Sequence, residues 1–76
     1  MDSFVNSRMM ASALGVTYGS FRTFIGICDH GMVRQRLPND GAAYFKLTEA
    51  EGFLRRFTSI TDSQICSLRS MAVVNV

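Results

Sequence analysis

The sequence predicts one small α+β domain, mostly helical, with a β-hairpin between two pairs of short helices. Three observations lead there. Apolar residues recur at spacings of three and four in four separate stretches, as one buried helical face requires. Between residues 32 and 46 that period gives way to a loose alternation around Pro38-Asn39-Asp40-Gly41, which is dense turn chemistry. The length of 76 residues leaves room for one core, with no internal repeat or linker to divide it.

Phe4 and Val5 form a short apolar lead-in, after which Asn6 or Ser7 caps a first helix with apolar positions Met9, Met10, Ala13 and Leu14. Gly15 stops it, because glycine accepts positive φ without steric penalty. Val16 lies in the connection and Thr17 caps a second helix. Phe21, Phe24, Ile25 and Cys28 fall on one face of this helix, while Tyr18, Ser20, Arg22 and Thr23 lie mostly off it. It finishes near Asp29 to Gly31. So short a connection makes the two helices neighbours at a steep angle, and residues 6–29 read as a helix-turn-helix.

Residues 32–46 follow as a basic hairpin, Met32 to Leu37 going out and Ala42 to Lys46 returning, with the donor-less Pro38 at the tip or an edge. Thr48 and Glu51 have capping-box spacing for a third helix over residues 48–57. Ala50, Phe53, Leu54 and Phe57 form its inward face, and Arg55 and Arg56 sit near its end. Thr61 and Gln64 repeat the spacing for a last helix with Ile65, Leu68, Met71 and Ala72 inward, so that helix and tail occupy 61–76. The apolar tail Ala72 to Val76 either covers the core or meets a second subunit.

Composition narrows the function classes. At 47% hydrophobic and 18% charged the chain is too apolar for an obligate disordered tail and too interrupted for a membrane span, so no membrane partner is expected. No amino-terminal stretch combines a basic region, an apolar run and a cleavage site, which makes the cytoplasm the expected location. Cys28, Cys66 and the single His30 fall short of the four ligands usual for structural zinc, and both cysteines are expected as small, mostly buried apolar residues. Asp29 and His30 are sequence neighbours, and side chains of neighbours usually point apart, while Glu49 and Glu51 suit the start of a helix. Neither pair supplies a nucleophile, a base and an orienting group, so no enzyme and no cofactor are expected.

Charge is unevenly placed. Eight Lys and Arg against six Asp and Glu give a net charge of +2. Residues 1–46 carry five basic and three acidic residues, and residues 47–76 carry three of each, so the whole excess lies in the first part. That leans towards a polyanion as partner. Arg34 and Arg36 are two apart and would share a face of a strand. Two plain solvated charges blunting a sheet edge would have the same pattern.

The stretch Ala11-Ser12-Ala13-Leu14-Gly15-Val16-Thr17-Tyr18-Gly19-Ser20-Phe21-Arg22-Thr23-Phe24-Ile25 looks like a DNA-binding helix-turn-helix. Ala11 lets the second helix approach, Gly15 makes the turn, and Val16 and Phe21 fill the wedge. With the basic hairpin and the helix carrying Phe53, Leu54 and Phe57, the order resembles the small winged helix-turn-helix proteins of the excisionase, AlpA and MerR-like group. The matching pieces are Ala11 to Ile25, Arg36-Leu37-Pro38 and Tyr44 to Phe57. Met9 and Met10 stand where many members of that group carry an acidic residue, and the helix from Thr61 is outside the minimal pattern.

The resemblance implies double-stranded DNA as partner, with the second helix in the major groove and the hairpin, as wing, on the minor groove or its phosphates. Arg22 would read guanine, Thr17, Tyr18 and Ser20 would meet phosphates, and Thr23 shares their exposed face. Arg34, Arg36 and Lys46, with Arg8, would form a basic surface around the reading helix. The implied role is that of a phage or mobile-element protein. It would act as an excisionase, setting recombination direction with an integrase, or as a transcriptional regulator acting on RNA polymerase. A charge of +2 is small for such a task, so cooperation between copies, or a homodimer through the carboxy-terminal helix and tail, is expected. The competing class is a small protein-binding inhibitor or adaptor, for example a phage anti-host-defence protein, motivated by the apolar tail and the low charge.

Overall fold

A computed structural model describes residues 2–28, 30–36 and 43–75. Its elements run β1 (Asp2–Val5), α1 (Ser7–Leu14), α2 (Tyr18–Ile27), β2 (Gln35–Arg36), β3 (Ala43–Lys46), α3 (Leu47–Phe57), α4 (Asp62–Met71) and β4 (Val73–Asn75). The fold is mostly helical α+β, with one antiparallel sheet in the order β2-β3-β1-β4.

The helix boundaries follow local chemistry in most places. Asn6 Oδ1 accepts the Met9 N–H at 2.9 Å and caps α1. Gly15, at φ 74°, closes that helix with its N–H on Ser12 O, and Val16 N–H reaches Ala11 O, both at 3.1 Å. Thr17 Oγ1 caps α2 by accepting the Ser20 N–H at 3.3 Å. The helix ends at Ile27, earlier than the expected Asp29 to Gly31. His30 then closes the loop: its Nδ1 accepts the Met32 N–H at 2.9 Å, and its ring stands edge-on to Phe45 and Phe53, each 5.8 Å away. Asp29 itself, and the expected hairpin tip Pro38 to Gly41 with Leu37 and Ala42, lie outside the described residues.

Phe4 and Val5, expected as a lead-in, belong to a central strand, with Val5 opposite Phe45 and Phe4 opposite Lys46. The tail, expected to cover the core or meet a second subunit, contributes β4, with Ser3 opposite Val74 and Phe4 opposite Val73. The two ends of the described chain therefore pair with each other. The outgoing hairpin strand contracts from Met32–Leu37 to Gln35–Arg36, which pair with Tyr44 and Ala43. Before it, Met32 is buried in the core and Val33 N–H reaches Glu49 Oε1 at 3.3 Å, so this backbone is committed to α3 and not to β3.

The capping box expected at Thr48 and Glu51 does not form. β3 runs directly into α3, which begins at Leu47 with Lys46 at the cap and no side-chain cap bond. Thr48 is thus already inside the helix. The box at Thr61 does form: Thr61 N–H donates to Gln64 Oε1 at 2.9 Å, and Gln64 N–H to Thr61 Oγ1 at 3.1 Å.

Val5, Met10, Ala11, Phe21, Ile25, Phe45, Ala50, Phe53, Leu54, Ile65 and Leu68 form one core between helices and sheet. Each large side chain removed from water there contributes about 1.5–3 kcal/mol. Three expected positions depart from this. Phe57, one turn past the core, is 40% exposed, and Val16 does not fill the interhelical wedge, being 45% exposed. Cys66 is exposed because it lies between the inward positions Ile65 and Leu68, whereas Cys28 is half-buried, and both thiols are free. Among the described residues no helix is long and apolar enough to cross a membrane.

Candidate functional site

Tyr18, Arg22 and Gly26 recur every fourth residue along α2 and so form one row on its surface. The row borders a cleft of about 400 Å³, which Arg8 of α1 and Arg34, just before β2, also line. Its apolar floor includes the buried Ile25 and Phe45, and Gly26 and Ala43 keep it open by having little or no side chain. Arg8, Arg22 and Arg34 are all exposed, and no acidic residue is among the described residues lining the cleft. The structure thus brings together three of the residues expected in the interface, Tyr18, Arg22 and Arg34, with Arg8 of the expected basic surface.

The Arg8 guanidinium lies 4.3 Å above the centroid of the half-buried Tyr18 ring, a cation–π contact between the start of α1 and the start of α2. Tyr18, expected to meet phosphates, engages Arg8 through its ring.

The other cations differ in their surroundings. Arg69 holds Glu51 in a two-pronged bond, at 2.8 and 2.9 Å, and Arg55 meets Asp62 at 3.2 Å. The Arg69 hydrogen bonds lower the Glu51 carboxyl below its ordinary range, and the same bonds raise Arg69. Both ion pairs tie α3 to α4 or to its first residue. Arg8, Arg22, Arg34 and Arg36 have no carboxylate partner among the described residues; the same holds for Lys46 and for Arg56, which lies over the Phe57 ring away from the cleft.

The remaining expected residues lie elsewhere. Thr17 and Ser20 are exposed but bound to each other, Thr17 Oγ1 donating to Ser20 Oγ at 2.9 Å. Thr23 is exposed and donates its hydroxyl to Gly19 O at 3.1 Å, within its own helix. Arg36 is exposed in the edge strand β2. Lys46 is half-buried, opposite Phe4 and one residue past Phe45, and so falls on the other side of the sheet from the cleft. The structure does not bring it to the arginines.

Ile27, which sequence reasoning passed over, is 81% exposed four residues beyond Thr23. The signal was present: Ile27 lies off the stripe of Phe21, Phe24, Ile25 and Cys28, and an apolar residue off the buried stripe faces water. A second, mostly apolar concavity of about 320 Å³ is lined by Leu14, Val16, Phe21, Phe24 and Phe57 together with Ser20 and Thr58. Among the described residues no group of three His, Cys, Asp or Glu side chains is placed to hold a metal ion.

No protein-family model, curated protein or solved structure matches the chain.

Proposed function

We propose that this chain is a winged helix-turn-helix protein that binds specific sites in double-stranded DNA in the cytoplasm. The observation that carries the reading is the convergence of Arg8, Arg22 and Arg34, from three parts of the fold, on one cleft without a described carboxylate. A duplex supplies the missing negative charge, and nucleic-acid affinity is dominated by that exchange.

In this reading α2 enters the major groove and presents Ser20, Arg22, Thr23 and Ile27 from its exposed arc. Arg22 pairs its planar fork with guanine O6 and N7, and Ile27 packs on a thymine methyl. Arg34 and Arg36 place the β2–β3 pair, as the wing, against phosphates, and Thr17 and Ser20 add neutral contacts at the start of α2. Excision with an integrase and transcriptional control through RNA polymerase both use this surface, and a phage or mobile element employs either. Four such arginines give modest affinity per copy, so several copies cooperate on a site.

Selection of bound duplexes from a random library tests the proposal. The expected result is an enriched motif, and Arg22→Ala then costs about 1–3 kcal/mol and relaxes preference at one position. A library that emerges unenriched at low salt removes the reading.

The apolar concavity beside Val16 and Phe57 favours a second reading, a small protein-binding adaptor. Activity that survives alanine at Arg22, Arg34 and Arg36 but is lost in Phe57→Ser selects it.

A further inference from the structure

We infer that the cleft is a seat for one phosphate group, gripped by Arg8 and Arg34 beside the base-reading Arg22, and that the Tyr18 ring is the positioning element for Arg8. The inference deepens the DNA reading and rests on it only for the source of the phosphate. A backbone phosphodiester and a free phosphorylated compound share the chemistry that the cleft recognises.

Three exposed arginines lining one concavity give it a positive potential that favours an entering anion. Outside the cleft, Arg36 has no described carboxylate partner and Arg56 lies over the Phe57 ring, whereas Arg69 and Arg55 meet carboxylates at Glu51 and Asp62. In the cleft the described lining residues offer no such partner, so the compensating charge comes from outside. Guanidinium selects among anions by shape, because its fork matches the paired oxygens of a phosphate. The ring at 4.3 Å holds the plane of Arg8 and leaves its N–H edges free to donate, which reduces the freedom lost on binding. The floor of Ile25 and Phe45 lowers the local dielectric and strengthens each bond. A volume of about 400 Å³ accepts a phosphate with its attached sugar.

The test follows the side-chain Nε–Hε signals of the full chain by NMR during titration with inorganic phosphate, thymidine monophosphate or a mixed-sequence duplex, with sodium chloride at matched ionic strength as reference. Shifts of the Arg8 and Arg34 signals with a phosphate-bearing probe, and not with chloride, are expected. Arg8→Ala lowers that affinity roughly tenfold. Tyr18→Phe keeps wild-type affinity because the ring remains, and Tyr18→Leu behaves like Arg8→Ala. Arg8→Lys, which keeps charge but loses the fork, falls between.

Response to phosphate and monophosphate identifies a free ligand; response to duplex alone identifies the backbone. Equal losses in Tyr18→Phe and Tyr18→Leu, or shifts that chloride reproduces, overturn the inference. Duplex binding that Arg22→Ala weakens and Arg8→Ala leaves intact overturns the seat while the DNA reading stands. Phosphate binding without duplex binding does the reverse.

Discussion

Removing Arg34 should change how DNA binding responds to salt, and the size of the change follows from the structure. Arg8, Arg22, Arg34 and Arg36 are exposed without a described carboxylate partner. Four positive charges brought into the duplex's counterion atmosphere displace about four condensed cations, whether or not they share a phosphate, so log K falls against log salt with a slope of about −3.6. Raising salt from about 50 to about 200 mM then weakens binding about 150-fold, or about 3 kcal/mol. Arg34→Ala takes the slope to about −2.7, and the same salt step costs only about 40-fold. Arg55→Ala is the control, since Arg55 is engaged with Asp62 at the α3–α4 junction, 3.2 Å away, and should leave the slope where it was. Fluorescence anisotropy of a labelled mixed-sequence duplex measures all three proteins. A wild-type slope shallower than about −1 refutes the reasoning, because no more than about one of the four charges would then be engaged. Equal flattening in Arg34→Ala and Arg55→Ala refutes it too, since location would not matter.

The fold makes three further predictions, all read by urea denaturation. Thr61→Ala removes one half of a formed capping box and should cost about 1 kcal/mol, while Thr48→Ala, at the expected box that is not made, should stay within about 0.5 kcal/mol. Gly15→Ala meets no atom within 4 Å of the added carbon, so its cost is backbone strain at φ 74°, about 1–2 kcal/mol. Glu51 has its carboxyl lowered by Arg69, so it contributes stability above the ordinary carboxylate value, and that stability is lost as pH falls from about 4.5 through the lower folded value. Glu51→Gln should therefore be less stable than wild type at neutral pH, with the difference shrinking in acid.

The four helices were legible because their signals are local. Asn6, Gly15, Thr17 and Thr61 act on backbone groups within four residues, and the spacing of Met10, Phe21, Phe53 or Leu68 needs no knowledge of what each helix packs on. The sheet was only half legible. β2 and β3 are close in sequence and flank residues whose types signal a turn, but β1 and β4 are four and three residues long and pair across nearly the whole chain, which no window of sequence reports. Thr48 misled for the same reason. Pairing of Phe4 with Lys46 fixes where β3 ends, and therefore where α3 begins, and it overrides a cap signal two residues on. In the candidate site, the excess of arginine before residue 47 and the outward row of α2 could be read directly. The Arg8–Tyr18 contact could not, because it depends on the angle at which two helices meet.

The same long-range pairing also decides whether the cleft exists. Val5 sits opposite Phe45, and Phe45 is part of the cleft floor. Asn6, the next residue, caps α1, and Arg8 follows in its first turn. The register of β1 on β3 therefore sets the floor and one cationic wall together. A slip of β1 by one residue would exchange Val5 for Phe4 opposite Phe45 on the core face and carry Arg8 off the Tyr18 ring. The residues that would grip an anion are thus fixed by side chains that never touch it. The net-neutral residues 47–76 contribute through α3, which follows β3 directly, and through α4, joined to α3 by the two ion pairs: they back the side of the fold on which three arginines without a described carboxylate are held.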